Sequence, residues 1–275
     1  MRYDLHVHTE WSDGSMPVEE VVAFAARRGL GGIAISDHDS MGMLSRAEAA
    51  AQAAGIAMIP AVELSTMDHE TGRKVHLLVY WPKNMQPLTP IFRRMARLRR
   101  EAGERMIERV QALYPVRRED ILRYADKSST IFRVHLLRAL LEMGYDATIY
   151  GPLYRELFAD PGGSCLEPVD YTDLNEAAEA ARRSGGAVVL AHPSVYDSFD
   201  AAHRLGRAGL LDGLELCYPR RDPETREAHE TILRAYELIP TGGTDYHGFY
   251  TSLPRPIGSC TTGEYELGQL HKLSL

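Results

Sequence analysis

The residues best suited to chemistry begin at the amino end of the chain, where two histidines alternate with apolar residues. His6 and His8 are interleaved with Leu5 and Val7, which is the two-residue period of a β-strand. Side chains two positions apart on a strand point to the same face, so both imidazoles leave one side. Such a pair either binds a transition metal or hydrogen-bonds inside the core, and the pattern alone leaves both interpretations open. Asp13, in a Ser-Asp-Gly turn downstream, is near enough to add a carboxylate oxygen.

Further histidines and carboxylates follow the apolar strands along the chain. They are Asp37, His38, Glu63, His192, Asp245 and His247, with His76 nearer the middle of its strand. In parallel α/β barrels the functional residues collect at the carboxyl ends of the strands. One ion takes about three or four protein ligands and leaves a position for water, so nine or ten candidates predict two or three divalent ions with Glu63 as a bridge. Clustered ions of this kind suit the hydrolysis of a phosphate ester.

Other residues near these positions are expected to act indirectly. We expect Asp37 and Asp39 to orient His38 rather than to bind an ion, and Glu215 to have a structural role. The sequence has no GxSxG elbow, P-loop or GxGxxG motif. Covalent serine chemistry and the use of nucleoside triphosphates therefore have no support.

The elements that must position these residues alternate between strand and helix. Besides the opening strand, apolar runs predict strands at 32–35, 56–62, 75–79, 187–191, 213–217 and 238–241, with helices between most of them. This alternation is typical of a parallel α/β architecture. It lapses from about residue 88 to residue 170, where the patterns predict only helices. We therefore expect a barrel formed by 1–87 and 171–275, and an all-helical insertion at 88–170 that could cap the substrate.

Composition limits the class of protein. The chain has 275 residues, of which 44% are hydrophobic and 25% charged, as expected for a soluble globular protein with a full core. A formal net charge of −7 argues against binding long duplex nucleic acid but is compatible with a small phosphorylated substrate. The three cysteines lack CxxC spacing, which favours a reducing cytoplasm. No apolar run reaches the roughly 18 residues of a membrane span, and no feature predicts an obligate protein partner.

Several motifs, taken in order, resemble those of the PHP (polymerase and histidinol phosphatase) superfamily. They are His6-x-His8-Thr9 with Ser12-Asp13-Gly14, then Asp37-His38-Asp39, Glu63, His76, Ala191-His192-Pro193 and Gly243-Thr244-Asp245-x-His247. The resemblance covers nearly all of the chain outside the helical region. It implies a distorted (β/α)7 barrel with a site for two or three metal ions at one end, and a metal-bridging hydroxide as the nucleophile.

The resemblance also implies how the ligands divide among the ions. A first ion would be held by His6, His8, Glu63 and Asp245, a second by Glu63, His76 and His192, and a third by Asp13, His38 and His247. Asp13, His38, Glu63 and His192 are assigned the catalytic work. The metal in such proteins is most often manganese, zinc or iron. Some members of the superfamily have a histidine where this chain has Asp13.

Within the superfamily, the chain resembles stand-alone phosphoesterases that act on nucleoside 3′,5′-bisphosphates or on short 5′-phosphorylated RNA. An Arg-x-His pair in that group resembles Arg133 and His135, which we expect to hold a second phosphate. The predicted helix 91–114 is rich in arginine, Arg99 included, and most of these arginines are expected on a solvated face. Three alternatives stay open: a histidinol-phosphate phosphatase, an amidohydrolase-like C–N hydrolase, and a non-catalytic metal-binding module.

Overall fold

The computed structural model describes residues 1–219 and 221–274, which form a mixed α/β fold. The described strands, in chain order, are β1 Arg2–Val7, β2 Gly32–Ile35, β3 Ala57–Asp68, β4 Arg73–Tyr80, β5 Thr172–Asp173, β6 Ala187–Leu190, β7 Gly213–Cys217, β8 Ile239–Gly242 and β9 Thr262–Gly263. Seven of them correspond to the predicted strands. The other two, β5 and β9, have only two residues each, which is too short to leave a periodic pattern in the sequence.

Eleven α-helices accompany the strands in the described part of the chain. They are α1 Val18–Arg27, α2 Leu44–Ala54, α3 Thr89–Leu113, α4 Arg118–Leu122, α5 Arg133–Glu142, α6 Pro152–Leu157, α7 Leu174–Arg183, α8 Pro193–Tyr196, α9 Phe199–Arg207, α10 Arg226–Ala235 and α11 Glu264–Leu273. Short 3₁₀ turns occupy Arg123–Ala125 and Pro223–Thr225. No helix of the described ranges is both long enough and apolar enough to cross a membrane.

The strands form one curled sheet in the order β8-β7-β6-β4-β3-β2-β1-β9, with β5 paired to β3. A parallel bridge between Val7 and Tyr246 brings the chain just after β8 against the end of β1. The sheet is therefore a nearly closed barrel, and the chain ends that follow β1, β6 and β8 meet at one rim. The α/β barrel expected from the sequence is confirmed.

The expected all-parallel arrangement is wrong for β4, which runs antiparallel to both β3 and β6. The reason is a short connection. β3 continues five residues beyond Glu63 to Asp68, and the turn that follows includes Gly72 at φ 69°, a conformation that glycine adopts at little cost. A short turn can only return the chain antiparallel. The beginning of β4 therefore lies at the same rim as the ends of β1 and β6.

Every described element between β4 and β5 is helical. Buried apolar residues of α3, α5 and α6, such as Ile107, Leu136 and Leu157, form a hydrophobic cluster of their own, which Tyr250 joins from the far end of the chain. The boundaries 88–170 for an inserted domain remain a prediction.

Candidate metal centre

The end of one strand, β1, brings the first two histidines together. His6 lies in β1 and His8 directly after it, and both imidazoles are fully buried. Because they leave the same face of the strand, their Nε2 atoms come within 3.1 Å of each other. Two imidazole nitrogens that converge in a buried position suit a shared electrophile such as a metal ion.

Glu63 lies at the centre of the site. Five imidazoles surround its carboxylate, those of His6, His8, His38, His76 and His192. The Oε2 atom is within 3.3 Å of ring nitrogens of the first three, and Oε1 is within 3.0 Å of ring nitrogens of the last two. The two oxygens therefore face different groups of histidines, which is the arrangement that a bridging carboxylate needs.

Two aspartates complete the cluster on the other side of His8. Asp245 Oδ1 lies 3.5 Å from His8 Nε2 and 3.5 Å from His247 Nδ1. Asp13 lies 3.4 Å from His247 Nε2 through Oδ1 and 3.8 Å from His38 Nε2 through Oδ2. Distances of this size exceed ordinary hydrogen bonds, and they leave room for an ion between the atoms.

The nine sequence-predicted ligand residues thus meet in one place. Four overlapping groups have donor atoms close enough to hold an ion: His6 with Glu63 and His192; His6 with His8 and Asp245; His38 with Glu63 and His76; and His8 with Asp13, His38 and His247. The third predicted set lies within the last group, to which the geometry adds His8. The division of the ligands among the ions remains a prediction.

The donor set fits divalent transition metals. It combines imidazole nitrogens with carboxylate oxygens, as manganese, zinc and iron sites do, and Nδ1 of His8 and of His192 is buried without a hydrogen-bond partner in the described ranges. Burial alone would raise the pKa of Glu63, but the facing imidazoles, His6 foremost, hold it well below its ordinary value. The carboxylate is therefore in the ionised form that binds cations.

One buried carboxylate outside the candidate ligand set, that of Glu215, contacts two of the candidate ligands. Glu215 is buried, with Oε1 3.2 Å from His6 Nδ1, and its Oε2 accepts the backbone N–H of His192 at 2.8 Å. This contact directs the lone pair of His6 Nε2 toward the cluster, as second-layer carboxylates do for metal-binding histidines. The structural role expected for Glu215 thus takes the form of orienting two candidate ligands.

The expectation that Asp37 and Asp39 orient His38 directly needs correction. Asp37 accepts hydrogen bonds from Thr9 and Ser12, so it fixes the turn after β1. Asp39 accepts the backbone N–H of Ser65. The Ser65 hydroxyl, rather than either aspartate, lies 3.2 Å from His38 Nδ1.

A cavity of about 500 Å³ opens over the cluster. Asp13, His38 and His76 form part of one wall, and Lys74, Arg99, Arg133 and several aromatic rings, Phe132, Tyr150, Tyr171 and Tyr196, form others. Metal candidates and cations therefore face one space. This arrangement suits an anionic substrate with an additional charged group.

The two predicted substrate contacts differ in position. Arg133, the first residue of α5, lines the cavity, donates to the Phe158 carbonyl at 3.3 Å and lies over the Tyr154 ring. His135 is fully buried, and its Nδ1 accepts the backbone N–H of Phe132. This bond favours a structural role at the start of α5. The predicted contacts of both residues with substrate remain predictions.

The sequence interpretation missed Arg99. Its side chain is buried between the rings of Phe132 and Tyr171, donates to the Ser65 hydroxyl at 2.6 Å and lines the cavity. A signal was present in the sequence, because Arg99 falls on the buried face of α3 together with Ile91, Met95, Ala102 and Met106. A charged residue at helical spacing with buried apolar residues is rarely a solvated one.

Three curated relatives align over most of the chain. One from Eggerthella lenta, named phosphoribosyl 1,2-cyclic phosphate 1,2-diphosphodiesterase, is 34% identical over 91% of this chain and 96% of its own length. The 5′-3′ exoribonuclease Rnm of Salmonella typhimurium is 31% identical over 89% of this chain and 85% of its own. The 3′,5′-nucleoside bisphosphate phosphatase of Chromobacterium violaceum is 30% identical over 89% and 86%. All three names describe phosphoesterases.

A solved structure and a family model agree with these relatives. A protein of Bifidobacterium adolescentis, described as a putative metal-dependent phosphoesterase, matches with a TM-score of 0.89 at 26% identity, covering 99% of this chain and 96% of that one. The model of the PHP domain matches residues 4–183. The resemblance seen in the ordered motifs is confirmed, and the chain belongs to the PHP domain family.

Proposed function

We propose that the chain is a metal-dependent phosphoesterase whose substrate is a small ribose compound carrying two phosphate groups. The observation that carries this proposal is the cavity, in which candidate metal ligands face Arg99, Arg133 and Lys74. One phosphate would lie at the metal cluster and be hydrolysed there. The other would lie among the cations, where arginine is well shaped to hold phosphate oxygens.

The relatives support the two-phosphate part of the proposal. Phosphoribosyl 1,2-cyclic phosphate and a nucleoside 3′,5′-bisphosphate, the compounds in two of the relatives' names, each carry two phosphates on one ribose. A 5′-phosphorylated RNA likewise has phosphate on both sides of its first ribose. The substrates expected from the sequence, a nucleoside bisphosphate or a short 5′-phosphorylated RNA, therefore belong to one chemical class with the cyclic phosphate.

The roles of the residues follow from their positions. The nine candidate ligands would hold two or three divalent ions of manganese, zinc or iron. They are His6, His8, Asp13, His38, Glu63, His76, His192, Asp245 and His247. When bound, such ions lower the pKa of a bound water and neutralise charge on phosphate oxygens. Glu63 would be shared between ions, because its two oxygens face different histidines. Asp13 and His38 line the cavity, where they would contact the reacting phosphate.

Hydrolysis of a defined panel of substrates, followed by chromatographic separation of the products and, for the phosphomonoesters, by phosphate release, tests the proposal. The panel contains 5-phosphoribosyl 1,2-cyclic phosphate, adenosine 3′,5′-bisphosphate, a 5′-phosphorylated RNA trimer, AMP and histidinol phosphate, each with Mn²⁺ or with a chelator. We expect chelator-sensitive turnover of at least one of the first three. The compound turned over fastest then separates a cyclic-phosphate diesterase from a bisphosphate phosphatase or a short-RNA exonuclease.

Arg133→Ala tests where the second phosphate lies. Loss of a charged hydrogen bond costs about 1.5–3 kcal/mol, so KM for the preferred two-phosphate substrate should rise about 10- to 100-fold, with a smaller change for AMP. Arg97→Ala is the matched control, because Arg97 is exposed and pairs with Glu101 on the outer face of α3. Activity on histidinol phosphate alone, or on none of the five with metal bound, would refute the substrate class.

A further inference from the structure

The backbone of His192 is strained at the point where this residue enters the cluster. His192 has φ 27° and ψ 59°, a conformation that costs a residue with a Cβ about 1–3 kcal/mol. Its Nε2 lies 3.0 Å from Glu63 Oε1, while its Nδ1 is buried without a partner in the described part of the chain. Histidines that bind metal usually have their second ring nitrogen fixed by a hydrogen bond. The imidazole of His192 therefore depends on its backbone for its orientation.

Two side-chain contacts hold that backbone, one on each side of the strained residue. On the first side, the N–H of His192 donates to Glu215 Oε2 at 2.8 Å. On the second side, the backbone N–H of Ser194, in the first turn of α8, donates to the Tyr218 hydroxyl at 3.1 Å. Tyr218 follows β7 directly and is buried. Its hydroxyl thus satisfies an N–H that a helix start leaves without an internal partner.

The Tyr218 hydroxyl is itself fixed by a histidine outside the cluster. His229 Nδ1 lies 2.7 Å from the Thr225 carbonyl, which can only accept, so Nδ1 carries the proton. Burial lowers the pKa of His229, so the ring is neutral and Nε2 accepts the Tyr218 hydroxyl proton at 2.9 Å. Tyr218 Oη then accepts both the N–H and the Oγ–H of Ser194, the latter at 2.6 Å. A single assignment of protons therefore gives each donor and acceptor in this series of hydrogen bonds a partner.

We propose that Tyr218, fixed by His229, is a positioning residue that holds the turn after β6 and so sets the affinity for the metal ion that His192 binds. The inference rests on His192 being a metal ligand in the proposed function. It extends that function to a residue that lies behind the cluster and that no sequence motif singles out.

Metal affinity of Tyr218→Phe tests this inference. The metal-free protein is titrated with Mn²⁺ and Zn²⁺ in competition with a fluorescent chelator, and bound metal per chain is measured after dialysis. Loss of a residue that orients a metal ligand typically weakens affinity 10- to 100-fold. We expect the affinity of the site that includes His192 to weaken by about this factor, while the remaining sites keep their affinity. Excess metal should restore the occupancy of the weakened site.

The control is Tyr236→Phe, because the Tyr236 hydroxyl also pairs with a histidine outside the cluster, at 3.1 Å from His203 Nδ1, in a partly buried contact between α9 and the end of α10. Ser194→Ala is a milder second variant, since it removes the Oγ–H bond and keeps the N–H bond to Tyr218. We expect its loss of affinity to lie between those of the two tyrosine variants. Equal metal affinities in Tyr218→Phe and Tyr236→Phe would overturn the inference.

The titration needs no substrate, which separates this inference from the proposed function. A wild-type protein that binds ions but hydrolyses no two-phosphate ribose compound would refute the substrate class. A weakened site in Tyr218→Phe would still support the positioning role in that case. Conversely, full turnover by the wild type together with unchanged affinity in Tyr218→Phe would refute only the positioning role.

Discussion

Replacing Arg99 by methionine should destabilise the folded protein far more than a surface substitution does. The Arg99 guanidinium donates to Ser65 Oγ at 2.6 Å and to Asp39 Oδ2 at 3.4 Å, and it lies over two aromatic rings. The side chains of Arg99 and Asp39 are 10% and 1% exposed. Methionine keeps most of the stem but leaves the Asp39 carboxylate buried without its cation.

The magnitude follows from that burial. Breaking a buried ion pair by removing one partner costs about 3–5 kcal/mol. The long 3.4 Å contact favours the lower end of this range, and the lost cation–π contacts add roughly 0.5–1 kcal/mol. We therefore expect the free energy of unfolding to fall by about 3–4 kcal/mol. Arg97→Met, at a side chain 61% exposed, should change it by less than about 1 kcal/mol.

Urea unfolding of metal-loaded protein, followed by circular dichroism and fluorescence, measures these values. Asp39→Asn and the double variant complete a mutant cycle. Because Asp39 and Arg99 are in contact, their effects should be non-additive by about 1–3 kcal/mol. Additive effects, or an Arg99→Met protein as stable as Arg97→Met, would show that the buried pair does not contribute as its burial implies.

Three further outcomes follow from the site and its supporting helices. Glu63→Gln should lose bound metal and lower kcat/KM by about 1000-fold, since several kcal/mol of transition-state stabilisation depends on the ions; metal analysis and phosphate release measure both. Gly103→Ala should destabilise the protein by about 1–3 kcal/mol in urea, because the methyl added to α3 would overlap Ile131, just before α5. Gly268→Ala, which meets open space in α11, should instead stabilise the protein by up to about 1 kcal/mol. Chelation should abolish phosphate release and lower the thermal midpoint, and Mn²⁺ should restore both; turnover that survives chelation would contradict a metal mechanism.

Seven of the described strands were predictable because each contains a short apolar run, and because the helices between them have clear ends. Helix α1 is an example: Val18, Val21, Val22 and Ala25 form its buried face, and Gly29 follows at φ 71°. The direction of β4 was not predictable from periodicity, because an apolar run has the same pattern in either direction. Only the short connection from Asp68 to Arg73 contained that information.

The candidate ligands were predictable because histidine, aspartate and glutamate are unusual at the ends of apolar strands. Their order along the chain also matches the motifs of the PHP superfamily. The residues around them were harder to predict. Asp39 and Arg99 are 60 positions apart in the chain, so no local pattern links them, and Arg99 stands among other arginines of α3 that are exposed. Tyr218 and His229 likewise meet only through the packing of α10 against β7.

The position of Glu63 within a long strand has a consequence for the centre as a whole. Glu63 accepts the Asp39 N–H through its backbone carbonyl and donates its own N–H to Ser36, and the five residues of β3 beyond it pair with β4. Its backbone is therefore held by neighbours on both sides, as is that of His76, which pairs with Ser65 and accepts the N–H of Ala191. Side chains on paired strands keep their positions better than side chains on loops. The barrel should consequently keep its fold when the ions are removed. His192, whose strained turn follows β6, is a candidate ligand whose position depends on its supporting contacts.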